Sequence, residues 1–380
     1  MKLIHLSDLH IGKRVNEFSM TEDQKYILDQ IFKIIMEEKP EAVILAGDLY
    51  DKPVPPAEAV QVLDEFLTKL AEERIQVFAV SGNHDSPERL AFGARFMGRG
   101  GVHISPVYDG KTEKFCLEDE YGRVWIHLLP FLKPAAVRHA FPNEEIHSYE
   151  EAIKTALSHM ELEEGDRHVL AAHQFVAGGS RCESEEIAVG GVDQVDFHVF
   201  DSFDYVALGH LHSPQQVGRK TLCYCGSPLK YSFSEAEQEK SLTVVELFEK
   251  GKTAVRRIPL APLRDMRKIR GSYNEVMSRE FYEKIGREDY VHITLTDEND
   301  IPDGIQRLRV VYPNLMTLEY DNRRTRESRQ IDRAEEEREK SELELFEEFF
   351  KLQNNQPMSW EQKAFSEMLI KELKEERERQ

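Results

Sequence analysis

Five short apolar runs in this chain each end in a cluster of acidic, amide or imidazole side chains, and that pattern narrows the folds open to it. Lys2–Ser7 leads into Asp8-Leu9-His10, Ala42–Ala46 into Gly47-Asp48, and Gln76–Val80 into Gly82-Asn83-His84-Asp85. Val169–Ala172 leads into His173, and the run from Asp204 into Gly209-His210-Leu211-His212. Apolar runs of this length read as strands buried on both faces. Between them, Thr21–Glu38 carries Ile27, Ile31, Ile34 and Ile35 at helical spacing, and Pro55–Glu73 carries Val62, Leu63, Phe66, Leu67 and Leu70. Strand and helix alternating in this way predict a largely parallel sheet covered by helices. Ligands of open α/β sheets sit at the carboxyl ends of the strands, so the five ends are expected to face one rim. Asp8 and His10, two apart in extended chain, are expected to point the same way, and the neighbouring glycines to permit sharp turns.

Beyond Gly100 the elements become shorter and more strand-like: Trp125–Leu129, His168–Ala172, Asp204–Gly209, Thr221–Cys225, Leu242–Leu247 and Ala254–Ile258. They predict a second sheet packed on the first. Pro259 and Pro262 mark a boundary. A small α/β unit is expected after it: strand Arg267–Arg270, helix Tyr273–Ile285, strand Tyr290–Thr296, helix Pro302–Val311 and strand Leu315–Tyr320. Arg323–Lys340 is dense in both charge signs and reads as a solvated linker or helix. The tail regains apolar residues in two bursts. The first holds Leu343, Leu345, Phe346, Phe349, Phe350 and Leu352; the second follows a Ser359/Gln362 capping box and holds Trp360, Phe365, Met368, Leu369 and Leu373.

Composition limits the function classes. With 380 residues, 20 phenylalanines and a 40% hydrophobic fraction, the chain can build a sizeable core. Its formal net charge of −20 repels nucleic acid, so any nucleic-acid binding needs a local basic surface or cations facing phosphate. Cys116, Cys182, Cys223 and Cys225 form no CxxC pair and read as buried reduced thiols. The opening run Leu3-Ile4-His5-Leu6 is too short for a secretory leader, and no stretch nears the ~20 apolar residues of a membrane span. A cytoplasmic protein is expected. No GxxxxGK[ST] loop is present, so ATP handling would fall to another subunit.

Each cluster alone is weak. A strand-end Asp is more often a turn residue, and a histidine such as His173 more often a satisfied polar group. The remaining histidines, among them His5, His103, His127, His139, His147, His159, His168, His198 and His292, take that ordinary reading. The conjunction is what carries weight: Asp8, His10, Asp48, Asn83, His173, His210 and His212 all close strands in this order. The set SDLH (Ser7–His10), GDLYD (Gly47–Asp51), GNHD (Gly82–Asp85), AAH ending at His173 and GHLH (Gly209–His212) resembles the calcineurin-like metallophosphoesterases. The resemblance implies a four-layer αββα sandwich over residues 1–260. It also implies two divalent cations, one on Asp8, His10, Asp48 and His212, the other on Asp48, Asn83, His173 and His210. Nitrogen and oxygen ligands with a shared carboxylate suit Mn²⁺, while residue type leaves zinc and iron open. His84 is expected to stabilise the transition state or protonate the leaving oxygen, with Asp85 orienting its ring.

The flanking text, MKLIHLSDLHIGK, GDLYDKPVPP, SGNHDSPERL, DYVALGHLHSPQ and Gly226–Phe233, is similar to the bacterial nuclease subunits of this superfamily that work with an ABC-type coiled-coil ATPase. That implies a DNA exonuclease and endonuclease acting on double-strand ends and hairpins, as a homodimer within a heterotetramer. It also implies a DNA-capping domain at 264–322, a linker at 323–340 and an ATPase-binding arm at 341–380. Lys13, Arg14, Lys52, Arg89 and Arg95 follow the motifs and are expected to touch DNA phosphates without reading sequence. Leu343, Phe346, Phe349, Phe350, Trp360, Phe365 and Leu369 are the expected partner-binding residues. Phe18–Leu28 is the candidate dimer surface. Asp51 stands where archaeal and eukaryotic relatives carry a histidine, so a second catalytic imidazole is not assumed. Two rivals stay open: a phosphodiesterase of cyclic nucleotides or other small phosphoesters, and a non-catalytic adaptor of the ATPase.

Overall fold

The computed structural model describes residues 1–185, 194–323, 325, 343, 346, 347, 350 and 358–377, with side chains of the last stretch to 370. In chain order the strands are β1 (Lys2–Leu6), β2 (Arg14–Val15), β3 (Phe18–Ser19), β4 (Ala42–Ala46), β5 (Gln76–Val80), β6 (Val102–Ile104), β7 (Glu113–Asp119), β8 (Gly122–Leu129), β9 (Arg167–His173), β10 (Tyr205–Gly209), β11 (Gln215–Val217), β12 (Arg219–Tyr224), β13 (Ser241–Leu247), β14 (Thr253–Pro259), β15 (Met266–Gly271), β16 (Tyr290–Leu295) and β17 (Leu315–Tyr320).

The first sheet has the order β14-β13-β1-β4-β5-β6. β1, β4, β5 and β6 are parallel, and β13 joins β1 antiparallel. The second sheet has the order β11-β12-β10-β9-β8-β7, with parallel pairing from β12 to β8 and antiparallel edges. Strand residues alternate between two cores, as the period of two requires. Along β4, Ala42, Ile44 and Ala46 face the layer between the sheets, where they meet Val169, Ala171 and Ala207. Val43 and Leu45 face the other way, toward Ile27, Ile31, Ile35, Val62, Leu63 and Phe66 of helices α1 (Thr21–Glu38) and α2 (Ala57–Glu72). On the far side, Leu170 and Ala172 of β9 pack with Val137, Ala152, Ile153 and Ala156. The layers are therefore helix, sheet, sheet, helix, the sandwich that the motifs implied. Fully burying a side chain such as Ile31 contributes roughly 2 kcal/mol.

The apolar runs were accurate guides: α1, β4, β5 and β17 fall on the expected residues. Two helices on the second sheet, Pro134–Ala140 and Tyr149–Ser158, were not anticipated. Ser148 and Glu151 form a reciprocal capping box at the second of these, a signal the sequence did carry. The helix expected over Tyr273–Ile285 is instead two short ones, Tyr273–Val276 and Arg279–Tyr282. Ser278 between them is extended at ψ 139, a conformation suited to a residue that starts a helix rather than continues one. Within Phe18–Leu28, the candidate dimer surface, Ser19, Glu22, Lys25 and Tyr26 are exposed. Ile27 and Leu28 are buried in the core, and Phe18 packs edge-on against Tyr290 with ring centroids 6.0 Å apart.

By contacts the chain forms two compact units, Met1–Ile269 with Met277–Ile293 and Ile305–Leu318, and Arg270–Val276 with Thr294–Gly304 and Glu319–Gln380. In the second, Arg270 pairs with Asp321, and Thr296 N–H donates to Gly271 O at 3.0 Å. Its last helix, Trp360–Arg377, opens with the expected capping box: Ser359 N–H donates to Gln362 Oε1 at 2.9 Å and Gln362 N–H to Ser359 Oγ at 3.3 Å. Most of the expected linker, and Phe349 among the partner-binding residues, lie outside the described residues.

Candidate metal centre

All seven expected ligands converge at the carboxyl ends of β1, β4, β5, β9 and β10. Asp8, His10, Asp48, His173, His210 and His212 are buried, and Asn83 is half-buried. The first two loops are zipped by backbone bonds, Asp8 N–H to Gly47 O at 3.0 Å and His10 N–H to Asp48 O at 2.9 Å. The extended geometry expected for Asp8 and His10 is absent. Both are left-handed, at φ 53 and 44, as are Asp48 at φ 50 and His210 at φ 106. Such conformations cost on the order of 1–3 kcal/mol each in non-glycine residues and concentrate where function demands a side-chain direction. Side chains here reach the rim because the backbone coils left-handed, not because strands alternate.

Two glycines admit the close approach of neighbouring loops. A Cβ on Gly82 would lie 2.1 Å from Asp48 Oδ1, and one on Gly209 would lie 1.9 Å from Ala46 O. Further bonds tie the loops together. Asp8 Oδ1 accepts from His210 N–H at 3.0 Å, and Asp48 Oδ1 accepts from His84 N–H at 2.9 Å.

Ligand-type atoms within 4.8 Å of one another occur in three groups among the described residues: Asp8, His10 and His212; Asp8, Asp48 and His173; and His10, Asp48 and His84. Their chemistry suits a cation. His173 Nδ1 donates to Ala46 O at 2.9 Å, which leaves its Nε2 3.0 Å from Asn83 Oδ1 and 3.3 Å from Asp48 Oδ2. Facing two oxygens in a buried space, that nitrogen holds a proton in the ion-free site, a place that a cation would take instead. Burial disfavours charge on His173, yet Asp48 and its other neighbours raise its pKa to about 9. Burial would also raise Asp48, but His173, His10 and His84 hold it well below the usual carboxylate range. Burial pushes Asp8 up and His10 down. His10 Nδ1 is buried with no hydrogen-bond partner, and its Nε2 lies 3.0 Å from His212 Nε2. The donors are nitrogen and oxygen without thiolate, a set suited to Mn²⁺, Fe²⁺ or Zn²⁺.

His84 sits beside the cluster, its Nδ1 donating to Asp51 O at 3.0 Å and its Nε2 4.0 Å from Asp48 Oδ2. Asp85, expected to orient the His84 ring, serves the backbone instead. It accepts N–H groups of Leu49 at 3.1 Å, Tyr50 at 3.0 Å and Gly82 at 2.9 Å, and so clamps the second and third motif loops. Burial first, and the Asp48 charge second, raise its pKa to about 6. Of the basic residues, Arg14, Lys52, Arg89 and Arg95 are exposed. Lys13 is held by Asp51 Oδ1 at 2.7 Å and lies over the Tyr231 ring.

Sequence reasoning missed a polar layer behind His212, formed by Ser184, Glu185, Glu235 and Lys240. Glu185 Oε1 accepts from His212 N–H at 2.6 Å, and Ser184 Oγ meets His212 Nδ1 at 2.7 Å. Glu235 lies just beyond the Gly226–Phe233 run already noted. Ser184 and Glu185 sit in a polar loop with no periodicity and left no signal.

Residues 1–214 match the family described as calcineurin-like phosphoesterase, and residues 262–354 match the type 5 capsule protein repressor C-terminal domain. The SbcD subunit of the nuclease SbcCD from Staphylococcus epidermidis is 34% identical over 324 residues, which cover 84% of this chain and 85% of that protein. Its counterpart from Staphylococcus saprophyticus is 33% identical, covering 84% of each. Among solved structures, a dimetal phosphatase from Danio rerio has a TM-score of 0.42 at 11% identity, covering 69% of this chain and 98% of its own. The TT1561 protein of Thermus thermophilus has a TM-score of 0.39 at 13% identity, covering 67% of this chain and 98% of its own. The chain thus belongs to the calcineurin-like phosphoesterases, phosphodiesterases that bind divalent metals, and within them to the SbcD nuclease subunits.

Proposed function

We propose that this nuclease is a Mn²⁺-dependent DNA exonuclease and endonuclease that processes double-strand ends and hairpins together with an ABC-type coiled-coil ATPase. The observation that carries the reading is the convergence of two buried carboxylates, four imidazoles and one amide at a single rim, four of those seven residues in left-handed backbone. Asp8, His10, Asp48 and His212 would hold one ion, and Asp48, Asn83, His173 and His210 the other. Bound there, divalent cations supply Lewis acidity toward a phosphate oxygen and an attacking water.

The chain's own groups do the rest. With Nδ1 committed to Asp51 O, His84 presents Nε2 on the Asp48 side, placed to hold or donate a proton at the leaving oxygen. Asp85 keeps that loop in register through its three backbone bonds. Arg14, Lys52, Arg89 and Arg95 lie exposed on the loops after the motifs, where phosphate contacts position a duplex. Lys13, paired with Asp51, contributes there only by exchanging that partner.

The relatives are named as one subunit of a nuclease, which supports a multi-subunit assembly. Residues 264–322 would cap DNA, 323–340 link, and 341–380 bind the ATPase. The exposed Trp360 (77%), Phe365 (58%) and Leu369 (40%) support the last of these. A homodimer within a heterotetramer would pair through Phe18–Leu28, whose Ser19, Glu22, Lys25 and Tyr26 are exposed. A cytoplasmic, nucleoid-associated enzyme follows from a DNA substrate, and among the described residues no helix is long and apolar enough to cross a membrane.

The test is cleavage of end-labelled linear duplex by purified protein with Mn²⁺, beside Asp48→Ala and a small diester substrate. Duplex degradation lost in the variant supports the reading. Hydrolysis of the small diester alone, unchanged when the ATPase is added, would favour a small-molecule phosphodiesterase instead.

A further inference from the structure

Behind His212 runs a chain of buried polar contacts whose proton directions are fixed by chemistry. It starts at Lys240, a buried ammonium 2.6 Å from Glu235 Oε2 and 2.8 Å from the His212 carbonyl. Ser227 Oγ and Gln238 Oε1, each at 3.0 Å, complete its surroundings, so the lysine and Glu235 form a buried, fully partnered ion pair. The other carboxylate oxygen, Oε1, lies 2.6 Å from Ser184 Oγ. A carboxylate only accepts, so the serine hydroxyl proton points at Glu235. Ser184 Oγ also lies 2.7 Å from His212 Nδ1, and having spent its proton it can only accept there. His212 therefore carries its proton on Nδ1, which leaves Nε2 as a lone pair. That Nε2 faces His10 Nε2 at 3.0 Å, inside the Asp8, His10 and His212 group.

We infer that Ser184, Glu235 and Lys240 are positioning residues that lock His212 in the Nδ1–H tautomer and aim its Nε2 lone pair at the first ion. The inference rests on the metal-site reading above and adds a reason for the ion's affinity. The backbone is held as well, because Glu185 Oε1 takes the His212 N–H and Lys240 takes its carbonyl. Ring, amide and carbonyl of one residue are thus fixed by three separate partners. Groups that orient a ligating imidazole in this way are generally worth ~10–100-fold in metal affinity.

Ser184 is half-buried in a loop, so Ser184→Ala removes the relay at little risk to folding, while Ser184→Thr keeps the hydroxyl. Two readouts are taken. In metal-free protein labelled with ¹⁵N-histidine, long-range proton–nitrogen correlation reports which ring nitrogen of His212 is protonated. Isothermal titration with Mn²⁺ then reports affinity at each site. The expected result is Nδ1–H in the native protein, mixed tautomers in Ser184→Ala, and a ~10–100-fold weaker site that Ser184→Thr restores. Glu235→Gln should behave like Ser184→Ala. A native His212 protonated on Nε2, or a Ser184→Ala variant with native tautomer and affinity, would overturn the relay. Native protein that binds no Mn²⁺ would overturn the metal-site reading itself, and the ring tautomer would still decide the relay.

Discussion

Replacing Gly82 by alanine adds one methyl group and replaces no proposed ligand, yet it should disable the enzyme. The new Cβ would lie 2.1 Å from Asp48 Oδ1, 2.7 Å from Asp48 Cγ and 2.5 Å from the Asp48 backbone nitrogen. The carboxylate must retreat by about 1 Å to reach ordinary contact, whereas metal–oxygen distances tolerate only about 0.2 Å. A misplacement of that size costs on the order of 100-fold in rate. Because Asp48 is the proposed shared ligand, both ions should weaken together. Overpacking should cost the fold about 1–3 kcal/mol, a modest fall in melting temperature. Gly100→Ala is the control, since nothing lies within 4 Å of a Cβ there. The measurements are Mn²⁺ titration, duplex cleavage and thermal melting of both variants. A folded Gly82→Ala protein with native Mn²⁺ affinity and cleavage within a factor of about three would refute the shared role of Asp48.

Other outcomes follow from particular contacts. His84→Gln should lower the cleavage rate by ~10²–10⁴-fold while Mn²⁺ affinity stays within a few-fold, measured by single-turnover cleavage and titration. Trp360→Ala combined with Phe365→Ala should abolish capture of the coiled-coil ATPase without moving the melting temperature, because both rings are exposed; binding is read by gel filtration. His127 is buried, and desolvation, with His168 and Lys114 nearby, lowers its pKa to about 4. The unfolded chain takes up that proton near pH 6.5 and the folded one only near 4, so stability should fall as pH drops through this window. The loss from this group is on the order of 3 kcal/mol at most, and His127→Gln should lessen the fall in melting temperature between about pH 7 and 4.

How legible all this was in the sequence depends on the physics behind each feature. Runs such as Ala42–Ala46 and Gln76–Val80 announced their strands because both faces are buried, which leaves no polar residue to blur the ends. The ligand-type residues announced themselves because each closes such a run. The way they reach the rim was not legible, since left-handed backbone at Asp8, His10 and Asp48 is imposed by bonds between distant loops. The same holds for Asp85, whose partners Leu49, Tyr50 and Gly82 come from two loops. Ser184 and Glu235 meet across 51 positions of chain, so nothing local marks them as a pair. The Pro134–Ala140 helix hid because a short proline-led segment with one fully buried side chain, Val137, carries no periodicity to read.

The charge balance reconciles an acidic chain with a phosphodiester substrate. At −20 overall, the protein has no general attraction for DNA, and Asp8 and Asp48 place two carboxylates where phosphate must approach. Four imidazoles, neutral when they ligate, and an amide would add ligand strength there without adding negative charge. Two divalent cations held as proposed would bring four positive charges against those two carboxylates, making the loaded rim net positive on a negative body. Exposed Arg14, Lys52, Arg89 and Arg95, the proposed phosphate contacts, would then need only to orient a strand already drawn to the rim. On this reading attraction and chemistry share one source, and a chain without its ions would be repelled by its own substrate.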